Sequence, residues 1–426
     1  MLTRITLLFT ISFVTLINAQ WYRQELPAVP SPFYSVHFED DLTGWAAGNK
    51  GIILKTTDGG KRWIKQTDSS RTSLSQIFFV DKLNGWAVGY ESGTGYSIVL
   101  KTTNGGENWI KLPLTTGPLL SVFFVNSQTG WIVGGPVDRG ALGILMKTTN
   151  GGQSWLPQSG PTGRAYTEVK FIDSQTGWIV DMYGAILKTT NGGENWDMMV
   201  SDTLNSYNTL YTVDFVNAQK GWAAGANGRM YKTIDGGVNW SPHFLDSKIW
   251  ISSLQFVDEM TGWTAGTDYS TEGGIILKTT DGGINWFAQA HPATIGGDLY
   301  SIFFISQNKG WAVGNGTILS TSDGGDIYTG TSPINEYALS QNYPNPFNPV
   351  TNIKYAIPSE LKNEKVHVNL SVFDMLGSEV AVLVNEEKNF GTYDAVWNAS
   401  GVASGIYYYR LAVGGFVQTR KMVLVK

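Results

Sequence analysis

Apolar and polar residues alternate along this chain in short runs, and the same run returns at intervals of about 41 to 48 residues. Ser121-Val122-Phe123-Phe124-Val125 is one copy, and its frame gives Phe38, Phe79, Phe124, Phe171, Phe215, Phe256 and Phe304 as core positions. A second strand follows each Gly-Trp pair, at Trp45, Trp86, Trp131, Trp178, Trp222, Trp263 and Trp311. A third runs through stretches such as Ile144 to Thr148, and a fourth begins at a second tryptophan such as Trp155. Period-two patterning broken by Gly- and Asn-rich joints predicts strands, and no long stretch shows helical periodicity. Four short strands in roughly 40 to 45 residues make one propeller blade, whose faces are buried only against its neighbours. Seven repeats therefore predict an all-β protein: a seven-bladed β-propeller over residues 20–329, then residues 330–337 as a linker and a small Ig-like β-sandwich over 338–426.

Between the third and fourth strands stands Thr56-Thr57-Asp58-Gly59-Gly60-Lys61-Arg62-Trp63, a phrase that recurs from Thr102, Thr148, Thr189, Thr233, Thr279 and Thr321. Its acceptor position holds Asp58, Asn104, Asn150, Asn191, Asp235, Asp281 and Asp323. Three amides among seven argue for a turn lock and against a calcium loop, because an amide oxygen accepts N–H bonds whereas hard cations favour carboxylates. The phrase resembles the Asp-box of sialidases and related propellers. The whole repeat, over roughly residues 20 to 328, is similar to that of the photosystem II stability and assembly factor propellers. The seventh repeat lacks its fourth strand, and Trp21-Tyr22-Arg23-Gln24 matches Trp63-Ile64-Lys65-Gln66 in frame, so the N-terminal segment is expected to complete blade seven. That closure hides two strand edges.

Past Pro333 the repeat stops and Ser340-Gln341-Asn342-Tyr343-Pro344-Asn345-Pro346-Phe347-Asn348-Pro349 follows. With Val372-Phe373-Asp374-Met375-Leu376-Gly377, Gly405-Ile406-Tyr407-Tyr408-Tyr409-Arg410 and the terminal Lys421-Met422-Val423-Leu424-Val425-Lys426, it resembles the C-terminal sorting domain of the type IX secretion system of Bacteroidetes-related bacteria. The resemblance implies the type IX machinery as partner and a destination in the medium or on the outer cell surface, reached through the periplasm. The N-terminus agrees: Arg4, an apolar run from Ile5 to Ile17, then Asn18-Ala19-Gln20 read as a signal peptide over residues 1–19. That run, about 13 residues, is too short to span a bilayer, and no later stretch is long and apolar enough either.

Composition removes several classes of chemistry. The chain has no cysteine, so disulfides, thiolate metal sites and cysteine nucleophiles are excluded. A net charge of −5 without a basic patch gives nucleic acid no footprint. The histidines His37, His243, His291 and His367 show no ligand spacing, and no metal or cofactor is expected. No G-x-S-x-G elbow occurs. The propeller arginines Arg23, Arg62, Arg71, Arg139, Arg164 and Arg229 do not stand in the sialidase opening motif, and seven blades depart from the sialidase six, so the Asp-box resemblance carries over no sialidase activity and no catalytic residue is assigned.

Strand order places blade-to-blade connections and second-to-third-strand loops on one rim, and the Asp-boxes on the other. Length variation gathers on the first rim, whose long loops offer Tyr90, Glu91, Tyr96, Asp138, Arg139, Asp268, Tyr269 and Glu272 as ligand-binding candidates. Asp181 joins them because it stands where Gly48, Gly89, Gly134, Gly225, Gly266 and Gly314 occur elsewhere. The residue before each core phenylalanine varies through His37, Phe78, Phe123, Lys170, Asp214, Gln255 and Phe303; if it faces the channel, Lys170 and Asp214 can pair there, as a filler or as part of a site that also includes His37 and Gln255. The expected function is binding of a protein or glycan without catalysis. The alternative is a glycan-active hydrolase using two rim acids.

Overall fold

The computed structural model describes residues 21–29, 32–67, 71–136, 143–161, 164–201, 208–289, 291–292, 297–325, 337–339, 342, 345–357, 365–389 and 391–426. The expected signal peptide, residues 1–19, and most of the expected linker, residues 330–337, lie outside these residues. Among the described residues, seven four-stranded antiparallel sheets carry the repeats in sequence order. The first comprises Phe33–Phe38, Gly44–Gly48, Ile53–Thr56 and Ile64–Thr67. The seventh takes Leu299–Phe304, Gly310–Gly314 and Thr317–Thr321 from the end of the repeat array and Tyr22–Arg23 from the beginning. Tyr22 pairs with Ser320 and Arg23 with Leu319, and Gln24 N–H donates to Ile318 O at 2.8 Å. Trp21 is fully buried against Phe304, edge to face at 5.7 Å, as Trp63 is against Phe38 at 5.9 Å.

The repeated aromatics fasten each blade to the next. The tryptophan of each Gly-Trp pair stacks on the core phenylalanine of the following blade, Trp131 on Phe171 at 3.6 Å and Trp311 on Phe38 at 3.4 Å among them. The same indoles donate Nε1–H to an Asp-box glycine carbonyl of the following blade: Trp45 to Gly105, Trp86 to Gly151, Trp131 to Gly192, Trp178 to Gly236, Trp222 to Gly282, Trp263 to Gly324, and Trp311 to Gly59 across the closure. Each such pair removes two large rings from water and satisfies the only polar atom of the indole.

Within the Asp-box the hub is the threonine hydroxyl. Thr56 Oγ1 accepts Gly60 N–H at 2.9 Å and donates to Asp58 Oδ1 at 2.9 Å, and Asp58 Oδ1 accepts Arg62 N–H at 2.9 Å. Asn104, Asn150 and Asn191 do the same through Oδ1, accepting from Asn108, Ser154 and Asn195 at 3.0 Å each. The two glycines take φ of +76° and +93° in the first box, which a side chain rarely tolerates.

A second ring runs around the channel. Three residues before each core phenylalanine stands a polar side chain that accepts the backbone N–H of the next blade. Ser35 accepts from Ile77, Gln76 from Val122, Ser121 from Val169, Glu168 from Val213, Thr212 from Leu254, Ser253 from Ile302, and Ser301 from Val36. First strands of neighbouring blades diverge too far to form a ladder, and these seven bonds take up N–H groups that would otherwise be buried unpaired.

The C-terminal segment forms two sheets. One joins Ala338–Leu339, Val350–Ile357 and Gly391–Asn398; the other orders Glu379–Lys388, Val366–Phe373, Gly405–Val413 and Phe416–Leu424. Both contribute to one core that includes Ile353, Tyr355, Val368, Leu370, Tyr409 and Leu411, which makes the segment a β-sandwich.

Candidate functional rim and channel

Every first strand carries a bulge near its start, between residues such as Phe33 and Ser35 or Leu299 and Ser301. The bulged residues are Tyr34, Ser75, Leu120, Thr167, Tyr211, Ser252 and Tyr300. A bulge re-aims its side chain, and here it does so on the rim opposite the Asp-boxes. Thr167 shows the direction: its hydroxyl contacts Leu210 O of the next blade at 2.6 Å. Where the residue is tyrosine, the outcome is an aromatic track. Tyr300 meets Tyr34 edge-on at 5.3 Å, and Tyr34 in turn is close enough to Tyr90 and Ser73 for both to affect its phenol. Across the mouth, Tyr211 lies 6.2 Å from Trp250, which meets Tyr269 at 5.3 Å. Tyr269 and Tyr96 are each 54% exposed, so these rings stand at the surface. Burial, with Asp298 second, pushes the Tyr300 phenol up to about 12; burial also raises Tyr34 and Tyr211. All three are neutral hydrogen-bonding groups at physiological pH.

The other rim candidates fall differently. Glu91 holds Thr94 Oγ1 at 3.2 Å, and Asp268 Oδ1 accepts Ser270 N–H at 2.8 Å and contacts its hydroxyl at 2.5 Å, so both carboxylates shape their own loops. Glu272 is exposed at the tip of its loop with φ of +53°. Asp138 and Arg139 lie outside the described residues. Asp181, expected as a ligand contact, is fully buried: its Oδ1 accepts Tyr183 N–H at 2.8 Å and Ala185 N–H at 2.9 Å, closing the turn. Six blades have glycine there because a Cβ would strike backbone, Gly89 meeting Ser73 O at 1.9 Å.

The channel holds a cavity of about 120 Å³ lined by both the acceptor ring and the variable residues that follow it. One wall is aromatic: His37 packs on Phe303 at 4.7 Å and Phe78 at 5.3 Å, and Phe78 on Phe123 at 5.0 Å. The opposite wall is polar. Lys170 Nζ lies 2.8 Å from Asp214 Oδ1, Asp214 Oδ2 accepts Phe256 N–H at 2.8 Å, and Gln255 binds both N–H and C=O of Phe304. Burial opposes the charge of Lys170, but Asp214 and Glu168 outweigh it and hold the pKa above its ordinary value. Burial pushes the Glu168 carboxyl up to about 7, against the Val213 N–H and Lys170, which favour its charged form. Burial lowers His37, with Glu39 opposing. A polar, partly open space of this size is roomy enough for ordered water bridging these groups.

Comparison with known proteins places this geometry. The family described as photosynthesis system II assembly factor YCF48 matches residues 14–120, 118–208 and 201–288, and the secretion system C-terminal sorting domain matches residues 341–426. The chain belongs to the YCF48 family. A curated relative, the chloroplastic photosystem II stability/assembly factor HCF136 of Arabidopsis thaliana, is 34% identical over 70 residues, which span 16% of this chain and only 17% of that protein. Two solved structures share the fold. YCF48 bound to D1 peptide has a TM-score of 0.57 at 21% identity over 72% of this chain and 98% of its own. The GH74 enzyme of Niastella koreensis has a TM-score of 0.55 at 14% identity over 94% and 74%. The sorting domain carries with it export by the type IX route to the surface or medium, and among the described residues no helix is long and apolar enough to cross a membrane.

Proposed function

We propose that this YCF48-family propeller acts outside the cell as a non-catalytic binder of a polypeptide segment, held on the rim opposite the Asp-boxes. The observation that carries the reading is the pair of aromatic tracks, Tyr300–Tyr34 and Tyr211–Trp250–Tyr269, in which first-strand bulges set Tyr34, Tyr211 and Tyr300 beside the channel mouth. Partly exposed tyrosines and a tryptophan on a rigid scaffold provide large contact area at low entropic cost, the composition that protein recognition favours. A propeller of the same family is known with a bound peptide, which supports a polypeptide over a glycan here. The hydrolase alternative has the GH74 fold likeness behind it and little chemistry. Asp181 is buried in its turn, Asp268 is engaged by Ser270, and Glu168 lies inside the channel, where its carboxylate accepts Val213 N–H.

The reading is tested on peptide and glycan arrays with the secreted protein, alongside Trp250→Ala and Tyr34→Ala. Losing a buried aromatic contact at an interface centre costs about 2 kcal/mol or more, thirty-fold in Kd. A polypeptide ligand weakened to that degree by either substitution, with the variant still melting cooperatively as a folded protein, is the expected outcome. Glycan binding accompanied by hydrolysis refutes it.

A further inference from the structure

The largest contradiction of ordinary surface chemistry in the described residues lies in the C-terminal sandwich. The turn joining Val366–Phe373 to Glu379–Lys388 exposes Leu376 at 91% and Met375 at 68%; Leu376 is the most exposed large apolar side chain among the described residues. Tight turns are ordinarily polar. This one is also fastened as if its shape mattered. Asp374 N–H donates to Ser378 O at 2.9 Å and Gly377 N–H to Asp374 O at 3.1 Å. The Asp374 carboxylate then accepts Leu376 N–H at 2.8 Å and Ser378 N–H at 2.9 Å, while Gly377 takes φ of +84°. Behind the turn, Phe373 is covered by the Arg410 guanidinium at 4.4 Å. The four bonds fix the backbone, and the two apolar side chains project from it with nothing among the described residues over them.

Folding gains nothing from this arrangement. Full burial of a leucine or methionine side chain is worth roughly 1.5 to 3 kcal/mol, and here that gain is left for another molecule to realise. Because the turn is already ordered, a partner closing over it does not bear the cost of ordering it. The position matters as well: the turn belongs to the segment that matches the secretion system C-terminal sorting domain, and a sorting domain acts by being recognised. We infer that the Asp374–Ser378 turn is the recognition knob of this sorting domain, with Met375 and Leu376 seated in an apolar pocket on a protein of the type IX apparatus. The inference rests on the export reading of the domain and adds the residues that are read and the chemistry of what reads them.

The experiment expresses the full chain in a bacterium with a type IX system and measures its distribution among periplasm, surface and medium. Three variants are compared with the parent: the double substitution Met375→Ser with Leu376→Ser, the apolar exchange Met375→Leu with Leu376→Met, and a chain ending after Thr329. Both double variants change exposed side chains only, so each purified protein should melt with the parent. The serine variant is expected to accumulate in the periplasm with surface and medium levels reduced at least ten-fold, and the apolar exchange to be exported normally. A serine variant exported at the parent level, while the truncated chain stays in the periplasm, overturns the knob and leaves the sorting reading standing. Export of the truncated chain at the parent level overturns both.

Discussion

The threonine that opens each Asp-box holds more of the turn than the acid for which such boxes are named. Thr56 Oγ1 serves Gly60 N–H, Asp58 N–H and Asp58 Oδ1, whereas Asp58 contributes acceptors that Asn104, Asn150 and Asn191 supply equally well. Thr56→Val should therefore cost about 1 to 3 kcal/mol, by leaving a buried N–H unpaired, and Asp58→Ala about 1 to 2. Asp58→Asn should be nearly silent at neutral pH, and denaturant unfolding of the three variants gives the order. A second residue-scale prediction concerns Glu168, whose carboxyl burial pushes up to about 7. An acid with a raised folded-state value keeps its proton better when folded, so it lowers stability progressively as pH rises from about 4.5 to 7 and fully above that. Buried His37, whose value is lowered, acts in the opposite sense by penalising the folded state as pH falls below about 6.5, and Lys170 and Asp214 face the same cavity. Glu168→Gln keeps the acceptor for Val213 N–H and removes the charge. It should raise stability at pH 8 by on the order of 1 to 3 kcal/mol and change little at pH 4.5, as thermal melts at the two values will show.

At the scale of elements, strands and their joints were legible because each repeat states them with the same residues. The parity of the pattern, extended one residue further, holds what that reading missed. Phe33, Leu74, Leu119, Tyr166, Leu210, Ile251 and Leu299 each stand five residues before a core phenylalanine, and two buried residues five apart on one strand require a bulge between them. Reading that mismatch would have pointed to Tyr34, Tyr211 and Tyr300. The acceptor ring from Ser35 to Ser301 was likewise present as a polar residue three places before each phenylalanine, but its bonds cross blades and no local rule reveals them. Trp250 entered the rim through spatial neighbours alone. Where residue identity was unusual, the inference from it was mixed: Lys170 and Asp214 do lie together in the channel, whereas Asp181, where six blades have glycine, uses its carboxylate on the N–H groups of its own turn. The blade-to-blade stack carries the prediction of this scale. Trp131→Ala removes a fully buried indole, its contact with Phe171 and its bond to Gly192 O, and should destabilise by about 3 to 5 kcal/mol, measured by denaturant unfolding.

For the whole molecule, ring closure by the first described residues is the feature with the widest effect. Tyr22 and Arg23 give the seventh sheet its fourth strand, and Trp21 fills the place that a second tryptophan takes in every other blade. A chain beginning at Ser31 leaves one sheet edge open and a cavity over Phe304, and its melting temperature should fall by an amount equivalent to about 3 to 5 kcal/mol. An unchanged melt would mean that the ring does not depend on that strand. Closure also keeps the two rims apart as distinct surfaces, one locked by repeated turns and one varied by loops and bulges, and the proposed function assigns binding to the varied rim alone. The most direct measurement places a photo-crosslinking amino acid at Trp250 on that rim, and separately at the exposed Ile284 of an Asp-box, in the exported full chain on living cells. The account predicts discrete protein adducts from position 250 and none from position 284; adducts from position 284 alone, or equally from both, would contradict it.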